Sequence, residues 1–339
     1  MKENKDTGAS ERKKDHIELA FRSRVNLEEL DQRFYYEPML NAHPGENTEI
    51  CVNFLGKQLN APIWVSSMTG GTALAGIINK NLARACGQFK LGMGLGSCRQ
   101  LLNSDAFLAD FQVRKYMGNQ PLYANLGIAQ LETLIAAGKT DRISELIKKL
   151  DADGLIIHVN PLQEWLQPEG DRFACPPREI IQKTIDKVPY PIIVKEVGQG
   201  MGPQSLLELL KLPLAAVDFA AGGGTNFALL EILRSSESIA ENYSCLTNVG
   251  HSAEEMVRFV NQIISENQNQ LQCREIIISG GIYDFLDGYY LTQKLQMPSV
   301  YGQASGFLKH AQVSYETLEQ YVQLQIDGYK LATKLLKVK

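Results

Sequence analysis

The densest chemistry in the chain lies in residues 154–164, Gly-Leu-Ile-Ile-His-Val-Asn-Pro-Leu-Gln-Glu. Along an extended backbone His158 and Asn160 share one face, and Gln163 and Glu164 follow at once. An imidazole, two side-chain amides and a carboxylate this close can hold an oxyanion and a divalent cation together. A lone histidine is usually a satisfied structural group; the cluster argues for a site. Lys195 ends the apolar run Ile192-Ile193-Val194 and precedes Glu196. A lysine there is costly unless it meets an anion, either a bound ligand or Glu196 itself. Ser97 and Arg99 stand two residues apart after Gly94-Leu95-Gly96. An arginine fork at that place suits a phosphate, though a solvated arginine would read the same way.

Glycine-rich runs recur. They are Ser66-Ser67-Met68-Thr69-Gly70-Gly71, Gly222-Gly223-Gly224-Thr225, Ser279-Gly280-Gly281-Ile282 and Gly302-Gln303-Ala304-Ser305-Gly306. Each offers backbone N–H groups to a flat or phosphorylated ligand, and each alone also fits an ordinary turn. Asn125, in Tyr123-Ala124-Asn125-Leu126-Gly127, reads equally well as a turn cap. Arg12-Lys13-Lys14-Asp15-His16 is a basic cluster whose plain reading is a solvated tail.

Eight short apolar runs must position these groups: residues 62–67, 92–96, 122–125, 154–159, 192–197, 215–220, 275–279 and 299–301. Most are continuous rather than alternating, as expected of parallel strands covered on both sides. Helix-like segments lie between them, at 78–89, 104–116, 143–149, 177–187 and 254–266. This alternation predicts an α/β fold, a TIM (β/α)8 barrel, with an open doubly wound sheet as the alternative. In a barrel the polar groups gather at the C-terminal mouth, where the turns after strands seven and eight grip phosphate. The expected organisation is an N-terminal extension over 1–60, the barrel over 61–310 and a C-terminal helix over 311–339. Residues 1–14 are polar and expected to fray. Residues 17–59 suggest a helical extension followed by a β segment at 49–54, and residues 313–339 suggest one amphipathic helix with a basic end. Residues 245–249 could count as a ninth strand; they read better as part of an insertion after strand six. Ser252 and Glu255 then form the capping box of the next helix.

The net charge of −4 argues against a general nucleic-acid or membrane-surface binder. No apolar run reaches the length of a membrane span, and the first residues lack the apolar stretch of a secretory leader. The six cysteines are scattered without a CxxC pair, which points to reduced thiols and a cytoplasmic protein.

Taken in order, these motifs resemble the type 2 isopentenyl-diphosphate isomerases. The shared motifs are Arg-Lys-x-Asp-His from Arg12, Met-Thr-Gly-Gly from Met68, Gly-x-Gly-Ser-x-Arg ending at Arg99 and Asn-Leu-Gly from Asn125. They continue with His-x-Asn-Pro-Leu-Gln-Glu from His158, Gln-Pro-Glu-Gly-Asp ending at Asp171, Lys-Glu-Val-Gly from Lys195, Gly-Gly-Thr ending at Thr225 and Ser-Gly-Gly-Ile from Ser279. The strand-four block is the most specific of them. The resemblance implies FMN held by Met68, Thr69, Ser97, Asn125, Lys195 and Thr225, with its phosphate near Gly280, Gly281 and Ala304. It implies a prenyl diphosphate bound by Arg12, Lys13, Arg99, His158, Asn160 and Gln163, and Mg2+ held by Glu164. Arg12 and Lys13 would fold over the substrate, from the same or a neighbouring subunit of a homo-tetramer or homo-octamer. Three features depart from the family pattern: Tyr283 in place of an arginine, Cys98 in place of a glutamine, and a longer, more polar segment 226–248.

The chemistry so implied is a 1,3-proton shift between isopentenyl and dimethylallyl diphosphate. An unactivated alkene is a poor base, and neither His158, Gln163 nor Glu164 is an obviously strong acid. Reduced FMN, charged by NADPH or NADH, would serve as the acid–base group, with Lys195 stabilising its negative charge. Gln163, Lys195 and His158 are the catalytic candidates. Two other readings stay open: a redox FMN barrel of the 2-hydroxy-acid oxidase kind, and a non-catalytic flavin sensor. The first usually needs a His-Gly and Arg pair after strand six, where this chain has Ala-Gly-Gly-Gly from Ala221.

Overall fold

The computed structural model describes residues 9–45, 47–67 and 72–339. Eight parallel strands close on themselves: β1 Ile63–Val65, β2 Gly92–Gly94, β3 Leu122–Gly127, β4 Gly154–His158, β5 Ile192–Lys195, β6 Ala216–Asp218, β7 Ile276–Ser279 and β8 Ser299–Gln303. β8 returns to β1 with Tyr301 opposite Ile63, so the sheet is a closed barrel and the open doubly wound alternative falls.

Side chains along each strand alternate between two dry environments. Trp64, Tyr123, Ile156, Ile193, Ala216, Ile277 and Val300 fill the barrel interior. Ile63, Val65, Leu155, Ile157, Val194, Ile276 and Ile278 face the helical layer. Both environments are apolar, which is why the strands read as unbroken apolar runs.

The hairpin Val52–Phe54 and Lys57–Leu59 plugs the N-terminal end, where Phe54 and Leu59 join the interior cluster. Asp153 ties this end together. Its carboxylate accepts from Lys57 Nζ at 2.6 Å, Arg114 Nη2 at 2.8 Å and the Leu122 amide at 2.8 Å. Burial alone would raise the Asp153 carboxyl, but these donors outweigh it and hold the group below the usual range. The Asp153 contribution is therefore present above about pH 3.9 and lost as pH falls below it. Asp153→Ala strands two cations and an amide, and should cost about 1–3 kcal/mol in urea unfolding. Loss confined to acid pH in the variant, with neutral stability unchanged, would contradict this account.

Several sequence-based boundaries need correction. The N-terminal helix is Ala9–Leu19, so it begins inside the segment expected to fray. Residues 104–116 form two single turns, Leu108–Phe111 and Arg114–Met117, instead of one helix. Tertiary bonds break it: Asn79 Nδ2 takes the Asp110 carbonyl, and the Arg114 guanidinium takes those of Gly118, Gln120 and Asp151. Residues 245–249 do lie in the insertion after β6, as read from the sequence: the 3-10 turn Ser244–Asn248 follows helices Phe227–Arg234 and Glu237–Tyr243. The capping box forms as expected, with Glu255 N bonded to Ser252 Oγ at 3.2 Å and Ser252 N to Glu255 Oε2 at 2.9 Å. The C-terminal helix Tyr315–Leu335 stops short of the end, and Leu336–Val338 pairs antiparallel with Phe34–Tyr36.

Candidate active site

Period-two alternation places the site. Two residues beyond each interior side chain, the strand reaches the C-terminal mouth. Ser66 follows Trp64, Asn125 follows Tyr123, His158 follows Ile156, Lys195 follows Ile193, Asp218 follows Ala216 and Ser279 follows Ile277. Gly94 and Gly302 take the equivalent places on β2 and β8 and bring no side chain. The apolar interior thus ends in a ring of polar groups with a flat floor on one side.

His158 is fixed by its neighbour. Asn125 Nδ2 donates to the Leu95 carbonyl at 3.0 Å, so Asn125 Oδ1 faces His158 Nδ1 at 2.7 Å. That oxygen can only accept, which puts the imidazole proton on Nδ1 and leaves a lone pair on Nε2. Burial, then Lys195 and Arg99, push His158 down to about 4, so the ring is neutral near pH 7.

Asn160 and Glu164 are both buried just beyond. Asn160 Nδ2 donates to Gln163 Oε1 at 3.0 Å and to Glu164 Oε1 at 3.1 Å. The Asp171 amide donates to Glu164 Oε2 at 2.7 Å. The Asp171 carboxylate in turn meets Arg99 at 3.0 Å and Gln130 Nε2 at 3.0 Å. This network orders the strand-four block, Arg99 and the acidic loop as one unit. Among the described residues no three His, Cys, Asp or Glu side chains form a metal-holding group. A site at Glu164 would therefore be the single-carboxylate kind, completed by ligand phosphates and water, as suits Mg2+.

On the other flank, Lys195 stands between His158 and Asp218 in the strand register. Its Nζ donates to the Glu196 carbonyl at 2.7 Å. Asp218 is fully buried and accepts from Ser279 Oγ. Burial raises its carboxyl above the usual range, against the opposing pull of Lys195 and Ser279.

The turn after β7 is built on glycine. Gly280 has φ +89° and Gly281 φ +70°, and a Cβ on Gly280 would lie 2.0 Å from the Ala221 carbonyl oxygen. No other residue fits there. Lys195, Thr225, Gly280, Gly281 and Ala304 line one cavity with Ser66 and Ser67. The structure thus gathers these five predicted cofactor residues, and His158, Asn160, Gln163, Glu164 and Arg99 on the opposite side. Ser97 is exposed at the mouth, with Cys98 buried beneath it. Met68 and Thr69 lie outside the described residues. Arg12 and Lys13 stand on a helix exposed throughout residues 10–19. Ser66, Ser67 and Ser279 stood in the sequence only as parts of glycine-rich turns, and Asp218 and Gln130 were not singled out. For the strand residues, the missing signal was their position two beyond an interior apolar residue.

The mouth fits a polar, planar, phosphorylated cofactor. The buried atoms Ser66 Oγ, Ser67 Oγ, Asp218 Oδ2 and Asn160 Oδ1 have no partner among the described residues, and buried polar atoms require one.

No family model matches the chain. It is 33% identical over 329 residues to the isopentenyl-diphosphate delta-isomerase of Rickettsia felis, covering 95% of this chain and 91% of that protein. It is 34% identical over 281 residues to the isopentenyl-diphosphate delta-isomerase of a Nostoc species, covering 81% and 77%. The chain belongs to the isopentenyl-diphosphate delta-isomerase family. Among solved structures, a mandelate oxidase variant with a monooxide FMN adduct superimposes with a TM-score of 0.57 over 91% of this chain and 89% of that one. At 12% identity that likeness shows the barrel fold alone. This isopentenyl-diphosphate isomerase family member has its own device at position 283: the Tyr283 hydroxyl bonds the Gly223 carbonyl, bridging the turns after β6 and β7.

Proposed function

We propose that the protein interconverts isopentenyl and dimethylallyl diphosphate by a 1,3-proton shift, using reduced FMN, Mg2+ and a nicotinamide reductant, NADPH or NADH. The observation that carries this reading is a pair of anion grips facing each other across the mouth. β3 and β4 carry Asn125, His158, Asn160 and Gln163, with Arg99 beside them. β7 and β8, across the closed ring, carry the turn at Gly280 and Gly281 and the chain at Ala304. Two grips suit two phosphorylated ligands, one the cofactor and one the substrate. The names of the relatives supply the substrate class.

When bound, reduced FMN would supply an acid–base group suited to an unactivated alkene, which leaves His158 and the amide of Gln163 to bind and orient the substrate. Lys195 holds positive charge where negative charge would gather. Ser97, Asn125 and Thr225 would border the ring; Met68 and Thr69, which the resemblance implies there as well, lie outside the described residues. Arg99, His158, Asn160 and Gln163 would orient the diphosphate, and Glu164 would be the protein ligand of Mg2+. Gln163, held by a bond from Asn160, would help position the substrate for removal of its C2 proton. Arg12 and Lys13 close over the substrate from a second copy. The exposed Ile17, Phe21, Val25 and Leu27 give that segment an apolar face suited to a homo-oligomer, a tetramer or octamer. No helix among the described residues is long and apolar enough to cross a membrane, and all six cysteines are unpaired, as suits a cytoplasmic enzyme. The oxidase reading finds no support, because residues 220–224 are Ala-Ala-Gly-Gly-Gly and offer no proton acceptor after β6.

The test is conversion of isopentenyl diphosphate under anaerobic conditions with FMN, Mg2+ and NADPH, and with each omitted. Conversion that needs all three without matching loss of NADPH supports the proposal. No conversion by protein that binds FMN would overturn it.

A further inference from the structure

We propose that this chain grips the phosphate of its flavin through neutral hydrogen-bond donors alone, with Tyr283 keeping the grip uncharged. The proposal rests on the flavin reading above. The cavity at the ends of β7 and β8 is bordered by Gly224, Gly280, Gly281, Tyr283, Ala304 and Ser305. Lys195 is the one cation among the described residues that line it. Lys195 stands on β5, beside Asp218 in the register, and donates to the Glu196 carbonyl, on a strand separate from the turns after β7 and β8 that form the phosphate grip.

Behind the Gly280–Gly281 turn a second cavity brings in Arg33. That guanidinium is committed elsewhere. It pairs with Asp31 at 2.7 Å and Asp287 at 2.7 Å, and lies over the rings of Phe34 and Tyr290. The second Asp287 oxygen accepts the Tyr283 amide at 2.8 Å. Asp284 caps the next helix, Phe285–Lys294, from its first turn. Asp31, Asp284 and Asp287 against Arg33 therefore leave an excess of negative charge around the turn.

What remains for an anion is a set of neutral donors, the amides of the positive-φ glycines and the hydroxyl of Ser305, while the Tyr283 O–H is spent on the Gly223 carbonyl and holds the turns together. Such bonds act at contact range and are screened little by salt, unlike attraction between net charges. An arginine at position 283 would add a planar, charge-assisted fork.

Fluorescence titration of the full chain with FMN and with riboflavin, at low and high NaCl, tests this. For the unmodified chain the FMN Kd should change less than about twofold between about 0.05 and 0.5 M salt, and riboflavin should bind within about tenfold of FMN. Tyr283→Arg should tighten FMN about tenfold at low salt, make it salt-sensitive and leave riboflavin unchanged. An FMN Kd for the unmodified chain that rises about tenfold or more with salt would overturn the proposal, as would a variant that tightens both flavins equally. The salt series needs no variant, so it decides the matter even if Tyr283→Arg fails to fold. Failure of both flavins to bind at every salt concentration overturns the flavin reading as well, a result distinct from salt-sensitive binding.

Discussion

Lys195→Met is expected to lower kcat for isomerisation by about 100- to 1000-fold at saturating flavin, with the fold retained. Lys195 ends β5 with neutral His158 on one side and buried Asp218 on the other. No other cation sits in that register, so its removal takes away the charge that steadies a developing anion in a partly dry pocket. The barrel should survive the change. Burial already raises the Asp218 carboxyl, and without Lys195 the group can take up a proton in place of standing charged and alone. Methionine keeps most of the chain length and the apolar stem. The measurements are kcat, flavin Kd and thermal unfolding on the same preparation. A fall of less than about tenfold in kcat at saturating flavin would make Lys195 a structural partner of Asp218 only.

Binding of a diphosphate should drive a proton onto His158 Nε2. In the free protein Lys195 and Arg99 add to burial in keeping the ring neutral, down to about 4. A polyanion placed against the same cations reverses the local field, and the lone pair on Nε2 becomes the natural acceptor of a proton shared with a phosphoryl oxygen. Ligand binding thus raises the His158 pKa. Affinity should then strengthen as pH falls through the bound-state value and level off near the free-state value of about 4. Calorimetry with inorganic pyrophosphate and Mg2+ in buffers of different ionisation enthalpy should record proton uptake near neutral pH. NMR of labelled histidine should find Nδ1 protonated in both states. His158→Ala should raise the substrate KM about 10- to 100-fold and abolish the uptake. Binding with no proton uptake would show that Nε2 stays an acceptor, and that Arg99 and Mg2+ alone neutralise the ligand.

The eight strands were legible because both of their faces are dry, so each registers as an apolar run of limited length. The strand-end residues were legible because a lysine or histidine stands out against such a run. Ser66 and Ser279 were not: a serine after an apolar run has the signature of a turn, and its inward direction follows only once Trp64 and Ile277 are known to face the interior. Gln130 was hidden for another reason. Its importance lies in a bond to Asp171, 41 positions away. The region 104–116 misled because its apolar spacing suits a helix, while the Asn79 side chain claims the Asp110 carbonyl and the Gln112 side chain reaches out to the Lys149 carbonyl. The pairing of Phe34–Tyr36 with Leu336–Val338 carries no local signal, since three residues of alternation are too few to recognise.

That pairing also sets a clock. Phe34 faces Val338, so the first of these strands finds its partner only after about 300 further residues have been made. At synthesis rates of about 5–20 residues per second, the wait is roughly 15–60 s. Throughout it the backbone of residues 34–36 is an open edge, next to the apolar side chains of Met39 and Leu40, which stay exposed even in the finished fold. The segment most exposed to mispairing on the nascent chain is therefore the one that closes last, and crowded or stalled synthesis should trap it first.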